Sequence, residues 1–242
     1  MSRVAIVAAL PGELKPLVRS WEHNMLNGVH LWRWKFDNGE CVAACAGMGA
    51  DAATRAFAEI ERNGPVSYVI SLGWAGALSD EVAPGEVTGI SGVIDARTGE
   101  RFLAAHWSRE RWLVTVSQVA GKVEKQRLAG TYGAALVDME AATIARLAAM
   151  RDIPLYVIKG VSDGLHDRLP DFNAFQGKRG EFLLTRFVLC AMLRPQYWPA
   201  LMRMGENSRK AAAGMAEAVL DFLDERGYIR RRNGYPGNKR NY

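Results

Sequence analysis

Four carboxylate side chains follow short apolar segments of this sequence, at the points where buried strands would end. They are Glu13, Asp138, Glu140 and Asp163. Ligands of open α/β sheets bind beyond the carboxyl ends of the strands, so these carboxylates are expected to meet at one rim. One carboxylate there can stabilise an oxocarbenium-like transition state, and a carboxylic acid can protonate a departing base. A further carboxylate can activate water or hold sugar hydroxyls, so the set suits cleavage of a glycosidic bond.

Each carboxylate also has a purely structural interpretation. Glu13 could cap or solvate the first turn of a helix, and Glu140 stands at a helix start, where acids are common. Asp138 and Asp163 could be solvated turn residues. Their joint placement at several strand ends favours the functional interpretation.

A glycine turn accompanies the carboxylates. Gly47-x-Gly49-x-x-Ala52 follows a strand and precedes a helix, which loosely matches a dinucleotide-binding fingerprint. The acid that this fingerprint requires at the end of the next strand is missing, because that strand ends Ser71-Leu72-Gly73. The turn is therefore interpreted as a tight turn or a backbone approach to a small ligand, and no cofactor is expected.

Strands alternate with helices along the chain. The apolar run Val4–Ala9 is typical of a parallel strand that is buried on both faces. Tyr68–Leu72 and Pro154–Ile158 are also predicted to be strands. Helices are predicted over residues 52–62, 140–150 and 208–224. The alternation predicts a single α/β domain with a mixed, mostly parallel central sheet flanked by helices.

The domain is predicted to span residues 1–226, with an apolar insert at about 182–201 and a basic, flexible tail at 227–242. The chain of 242 residues has a formal charge of +5, and the five basic residues of the tail account for the whole excess. A nucleic-acid-binding domain would spread its basic residues over a folded face, so no nucleic-acid partner is expected. The tail is interpreted as a mobile end, with contact to an anionic membrane surface as the alternative.

The three cysteines, Cys41, Cys45 and Cys190, lie in apolar runs and form no metal-ligand spacing, so no metal site is expected. Buried, reduced thiols are typical of a cytosolic protein. The first apolar run meets a Pro-Gly turn instead of a small-residue cleavage site, so it is predicted to be a strand and not a signal peptide. A cytoplasmic location is expected, and a peripheral contact with the inner face of the membrane stays open.

The chain resembles the purine and uridine phosphorylase family, and within it the methylthioadenosine/S-adenosylhomocysteine nucleosidases. The resemblance rests on several segments in the same order and extends from Val4 to Gly164 and into the last helix. The matching segments are Val4–Glu13, Ala46–Gly49, Gly73–Leu78, Val137–Ala141 and Val161–Asp163. The motifs are specific together and weak singly.

The resemblance implies a role for each motif residue. It implies that Glu13 orients the attacking water, that Met139 and Glu140 hold the ribose, and that Asp163, steadied by Ser162, protonates or hydrogen-bonds the N7 edge of a purine.

Other residues complete this implied site. Lys159 stands where the nucleosidases have an arginine near the water. Trp74, Ala75 and Gly76 belong to the implied substrate-binding wall, and the base is expected near the backbone of residues 119–121. A homo-oligomer, in the simplest case a dimer, is also expected.

Two departures from the nucleosidases bear on the substrate. Trp74 replaces a serine, which removes a hydroxyl and places a large ring by the sugar. The stretch at about 182–201 is longer and combines apolar residues with flanking arginines, so it could line an apolar entrance or touch a membrane interface. A core helix or a dimer contact is the alternative. One branch of the family, the hopanoid-associated phosphorylases, is similar in the Val-Asp-Met-Glu form and in this insert, and it implies adenosylhopane as the substrate.

Three functions therefore stay open. The first is hydrolytic release of adenine from a nucleoside with a 5′ substituent. The second is a phosphate-dependent nucleoside phosphorylase, which is disfavoured because Glu13 would repel a phosphate dianion. The third is a non-catalytic nucleotide-binding or membrane-surface protein, which would require Glu13, Glu140 and Asp163 to lie far apart.

Overall fold

A computed structural model gives the fold of this chain. It describes residues 2–36, 39–105, 110–167, 170, 172–175, 177, 183, 187 and 194–229. The predicted tail at 227–242 therefore lies outside the described residues from 230 onward. Half of the predicted insert at 182–201 also lies outside them. Within the described part of the tail, Tyr228 stacks near Phe36 and its hydroxyl lies 2.8 Å from that of Ser2.

Eleven strands form one sheet in the described part of the chain. The strands are β1 Ser2–Ala8, β2 Glu22–Leu26, β3 Val29–Phe36, β4 Gly39–Cys45, β5 Tyr68–Ala77, β6 Val87–Gly89, β7 Gly92–Asp95, β8 Arg101–Leu103, β9 Trp112–Thr115, β10 Leu136–Asp138 and β11 Leu155–Asp163.

Five α-helices are described with the sheet. They are α1 Pro11–Leu14, α2 Ala50–Glu61, α3 Lys122–Tyr132, α4 Ala141–Ala149 and α5 Trp198–Glu225.

The sheet is mixed, and its centre is parallel. β1 lies between β4 and β5 and runs parallel to both, and β11 runs parallel to β5 on the other side. β10 pairs in the antiparallel sense with the C-terminal end of β5. On its other side β10 pairs in parallel with β9, and β9 pairs in parallel with β7. The outer pairs β2–β3, β3–β4 and β7–β8 are antiparallel hairpins. The predicted α/β fold with a mixed central sheet is confirmed.

Helices cover both faces of this sheet. α2 and α4 pack on one face through Phe57, Ile60 and Ile144, and α1 and α5 pack on the other through Leu14 and Met215. Because both faces of the central strands are covered, β1 and β11 are apolar along most of their length. A polar residue in one of these strands, or in the turn after it, is therefore an exception to this apolar pattern.

Several elements differ from those predicted. β5 and β11 extend beyond the predicted strands as far as Ala77 and Asp163, so their polar and glycine-containing ends lie in the sheet and not in loops. α5 begins at Trp198, ten residues before the predicted start, so the last residues of the predicted insert form its first turn. α3 has no regular apolar stripe, so hydrophobic periodicity did not predict this helix.

Candidate active site

A cavity of about 720 Å³ opens at the carboxyl ends of β1, β5, β10 and β11. This volume suits a ligand of nucleoside size or larger. All the residues predicted for the site line it, except Lys159, which is fully buried and not part of the lining. The lining includes Glu13, Trp74, Ala75, Gly76, Asp138, Met139, Glu140, Ser162 and Asp163.

Glu13 is fixed at the inner end of the cavity by backbone groups. Its Oε2 accepts hydrogen bonds of 2.8 Å from the backbone N–H groups of Ala9 and Leu10, so the carboxylate caps the short helix α1. Its Oε1 accepts a further bond of 2.8 Å from the backbone N–H of Trp74 in β5. The structural interpretation of Glu13 as a cap is therefore correct, and the same carboxylate also lines the cavity. Gly73 permits the approach, because a Cβ there would lie 2.9 Å from Oε1.

Glu140 reaches the cavity from the start of α4. Its Oε1 accepts a 2.6 Å hydrogen bond from the backbone N–H of Gly49. Gly49 has φ +88°, a conformation that side chains disfavour, so glycine is needed at this turn. The glycine turn 47–49 thus holds a carboxylate of the cavity.

Asp138 and Lys159 form a buried ion pair beneath Glu140. Lys159 Nζ lies 2.8 Å from Asp138 Oδ2, and both side chains are almost fully shielded from solvent. Asp138 also accepts hydrogen bonds from the Thr115 hydroxyl at 2.6 Å and from the Ala141 N–H at 2.9 Å. Asp138 is therefore not a solvated turn residue. Its carboxylate neutralises the positive charge of the buried Lys159.

Asp163 ends β11 and holds two different partners. Its Oδ1 accepts a 2.6 Å hydrogen bond from the Ser162 hydroxyl, whose oxygen also lies 3.2 Å from the backbone carbonyl oxygen of Ala75. Its Oδ2 forms a buried ion pair with Lys125 Nζ of α3. Ser162 thus contacts the carboxylate that the resemblance pairs with it, whereas neither the sequence nor the resemblance indicated the contact with Lys125.

Trp74 closes one wall of the cavity. Its indole Nε1 donates a 3.0 Å hydrogen bond to the backbone carbonyl of Ser208 in α5, and its ring lies against Gly12. A Cβ at Gly12 would lie 2.9 Å from the ring, so the glycine makes room for the indole. The residue that replaces the expected serine therefore connects β5 to the helix that covers the cavity.

The backbone near residue 119, where a base was expected, presents a donor beside an acceptor. The N–H of Val119 donates to Asn173 Oδ1 at 2.7 Å, and the Val119 carbonyl accepts from Asn173 Nδ2 at 3.1 Å. Val119 and Ala120 line the cavity. An amide and a purine edge both place a donor next to an acceptor, so this backbone can hydrogen-bond either group.

Burial changes the acidity of the cavity carboxyls. Burial raises the pKa of Glu13, although the backbone N–H groups of Leu10 and Trp74 oppose the change. Burial and the neighbouring Asp138 raise the pKa of Glu140 to about 8. Burial lowers the pKa of Lys159, but the carboxylates of Asp138 and Glu140 outweigh it and leave that pKa above its ordinary value. Raised carboxyl pKa values in a cavity are typical of acid–base sites.

The raised pKa of Glu140 predicts a pH dependence of stability. The folded protein holds this proton up to about pH 8, whereas the unfolded chain releases it near 4.5. The contribution of Glu140 to the free energy of unfolding is therefore fully present below pH 4.5 and is lost as the pH rises toward 8. Chemical denaturation of the wild type and of Glu140→Gln across this range measures it. The difference between the two proteins should change with pH, and parallel profiles would contradict the raised pKa.

The described residues carry no group of three or more His, Cys, Asp or Glu side chains that could hold a metal ion. Among the same residues, no helix is long and apolar enough to cross a membrane. Cys41 and Cys45 are buried free thiols, and burial raises the pKa of both.

The fold and the cavity define an α/β enzyme with acid–base side chains at the carboxyl ends of its central strands. The chain belongs to the phosphorylase superfamily, whose sequence model matches residues 3–112 and 113–185. The predicted family and the predicted enzyme class, a nucleosidase or phosphorylase, are thereby confirmed. No curated protein matches this chain in sequence.

Solved structures of nucleosidases share the fold. The 5′-methylthioadenosine/S-adenosylhomocysteine nucleosidase of Helicobacter pylori is 16% identical, with a TM-score of 0.71 over 93% of this chain and 98% of that one. The futalosine hydrolase of Helicobacter pylori is 15% identical, with a TM-score of 0.70 over 93% and 98%. The corresponding nucleosidase of Campylobacter jejuni is 14% identical, with a TM-score of 0.70 over 93% and 100%.

Proposed function

We propose that this enzyme hydrolyses the N-glycosidic bond of a purine nucleoside, with adenine as the base and a bulky apolar 5′ substituent. The observation that carries the proposal is the meeting of Glu13, Glu140 and Asp163 in one cavity of nucleoside size. In this assignment Glu13 orients and deprotonates water, Glu140 and Met139 hold the ribose, and Asp163 holds the base at its N7 edge. A non-catalytic binding protein would not need three buried carboxyls to converge.

Water is favoured over phosphate as the attacking group. The inner end of the cavity carries Glu13 and Glu140, and the nearby ammonium of Lys159 is already paired with Asp138. Lys15, Arg19 and Arg209 also line the cavity, but all three are exposed, and the buried Lys125 is paired with Asp163. A phosphate dianion at the inner end would meet carboxyl groups without a cation committed to it.

Product analysis with and without phosphate tests the hydrolytic assignment. The 5-substituted ribose and free adenine should form at the same rate in phosphate-free buffer and in buffer with phosphate. Formation of a ribose 1-phosphate, or an absolute need for phosphate, would establish the phosphorylase alternative. Release of no base from any purine nucleoside would overturn the proposed function.

The role proposed for Glu140 can be tested on the sugar. Glu140→Gln should lower kcat/KM for ribosides far more than for 2′,3′-dideoxyribosides, because the lost interaction needs the two hydroxyls. The comparison uses one base and one 5′ substituent throughout. Equal losses on both sugars would remove Glu140 from ribose binding.

The covering helix supports an apolar 5′ substituent. Leu201, Met204 and Ala212 of α5 line the cavity, together with Phe187 of the preceding segment. The exposed basic residues at the cavity fit the anionic surface of a membrane in which a lipid-linked substrate would lie. Adenosylhopane, the nucleoside of the hopanoid-associated branch, is therefore the substrate we propose for test, and a peripheral membrane contact is part of that proposal.

A series of 5′-alkyl adenosines of rising chain length tests whether these apolar lining residues bind the 5′ substituent. Each methylene buried there contributes about 0.8 kcal/mol, so kcat/KM should rise by about fourfold per methylene until the wall is filled. Met204→Ser should flatten the series. Met202→Ser is the matched control, because Met202 lies on the same helix, is 76% exposed and is not part of the lining. A flat or falling wild-type series would return the substrate to small, soluble nucleosides.

A further inference from the structure

Lys125 is a buried cation at the part of the cavity where Asp163 lies. It belongs to α3, which packs its Leu128 into the core formed by β7, β9 and β10. Its side chain is 4% exposed, yet it lines the cavity. An unpaired ammonium would be costly at such a position, so its partners and its purpose need an explanation.

Two acceptors hold the Lys125 ammonium in place. Nζ forms the ion pair with Asp163 Oδ2 and donates a 2.8 Å hydrogen bond to the backbone carbonyl of Gly164. An ammonium has three N–H groups, so these contacts leave it the capacity for one more. Because Lys125 also lines the cavity, a molecule bound there can accept that remaining hydrogen bond.

The end of β5 has a glycine, Gly76, where it faces Lys125. A Cβ at Gly76 would lie 2.9 Å from Lys125 Cε, 3.0 Å from Nζ and 3.3 Å from Asp163 Oδ2. Any side chain at Gly76 would therefore displace the lysine or the carboxylate. The glycine at the end of β5 keeps open the space in which the pair meets the cavity.

We propose that Lys125 is a catalytic residue that donates a hydrogen bond to the departing base and stabilises the negative charge that develops on it. This inference rests on the proposed function, because it needs a base beside Asp163. A cation in a site shielded from water stabilises a developing anion much more strongly than it would in solvent. Asp163 then has two roles, since it contacts the base and holds the ammonium in position.

The reaction balances without a cofactor. The bond from C1′ to the base breaks, and its electron pair moves into the base, which takes a proton from the Lys125–Asp163 pair. The attacking water adds its oxygen to C1′ and gives its proton to Glu13, whose pKa is raised by burial and which is therefore a stronger base than a solvated carboxylate. Proton exchange with solvent restores both groups.

The test is the dependence of rate on the acidity of the leaving group. Lys125→Met is compared with the wild type on the ribosides of adenine, purine, 6-chloropurine and 4-nitrophenol, in order of increasingly acidic leaving groups, and all four carry the same 5′-alkyl substituent. The variant should lose about 10²- to 10³-fold in kcat/KM on the adenine riboside, the size expected for one lost donor. The loss should shrink steadily along the series, because an acidic leaving group departs without help.

Three further proteins complete the design. Lys122→Met changes the same residue type one turn earlier on α3 and should leave the whole series unchanged. Lys125→Arg keeps a cation and Lys125→Gln keeps a neutral donor, and the leaving-group slopes of both should lie between those of the wild type and Lys125→Met. Thermal unfolding shows that each variant is folded, and if Lys125→Met is not, Lys125→Gln decides the slope.

The outcomes separate the two proposals. If the wild type cleaves the purine ribosides and the Lys125 variants lose the same factor on every one, Lys125 is only structural and this inference is overturned. If the wild type releases no base from any member of the series, the proposed function itself fails. The inference is supported if kcat/KM depends more steeply on the acidity of the leaving group in the Lys125 variants than in the wild type.

Discussion

Asp163→Asn is expected to lower kcat by about 10²- to 10⁴-fold, the range typical of a lost acid–base group. The amide keeps the shape of the side chain, but it cannot take part in proton transfer to the base. It also cannot neutralise the ammonium of Lys125, which would lose its ionic partner. Steady-state kinetics on a purine nucleoside measures the effect, and near-wild-type turnover would exclude Asp163 from the chemistry.

Asp95→Asn is the matched control for this variant. Asp95 is 6% exposed, Asp163 is 7% exposed, and Asp95 is likewise paired with a cation, Arg146. It lies in β7 and is not part of the cavity lining. The control should lower stability and leave kcat unchanged, so it separates the loss of an ion pair from the loss of chemistry. A similar fall of kcat in both variants would contradict the special role of Asp163.

The fold and most of the cavity could be predicted from the sequence because their signals are local. Buried parallel strands appear as apolar runs, and the residues that follow them are placed at one rim by the geometry of the sheet. Glu13, Glu140 and Asp163 each follow such a run, so their meeting did not depend on any long-range detail. Strand ends were less predictable, because β5 and β11 continue through glycine and polar residues that a loop would also contain.

Lys125 could not be predicted for a physical reason. It contacts Asp163 across 38 residues of sequence, and such a contact depends on how α3 packs against the end of β5. The helix itself has no regular apolar stripe, so periodicity does not reveal it. Glycines at both ends, Gly121 and Gly133, were the only local signal, and Gly133 does adopt the left-handed conformation of a helix C-terminus.

Lys159→Met is expected to cause the largest loss of stability among single substitutions at this site. The change removes the partner of a carboxylate that is itself shielded from solvent, and breaking such a pair costs about 3–5 kcal/mol. Asp138 would keep only its neutral donors, the Thr115 hydroxyl and the Ala141 N–H. Thermal unfolding should show a fall in Tm on the order of 10 °C for a domain of this size. The pKa of Glu140 should rise further in this variant, because the charge of Lys159 lowers that pKa in the wild type.

Two companion variants show whether the loss comes from the unpaired charge. Arg127→Met removes an exposed ion pair with Glu124 on α3 and should change stability little, because solvent screens the pair. Lys159→Met combined with Asp138→Asn removes both buried charges and should recover much of the lost stability, because replacing a whole buried pair is often close to neutral. The recovered protein should still be impaired in catalysis, since Glu140 would have lost Asp138 and Lys159, two of the three charged neighbours that set its pKa. If the double variant is as unstable as Lys159→Met alone, the lysine stabilises the fold through its packing and not through Asp138.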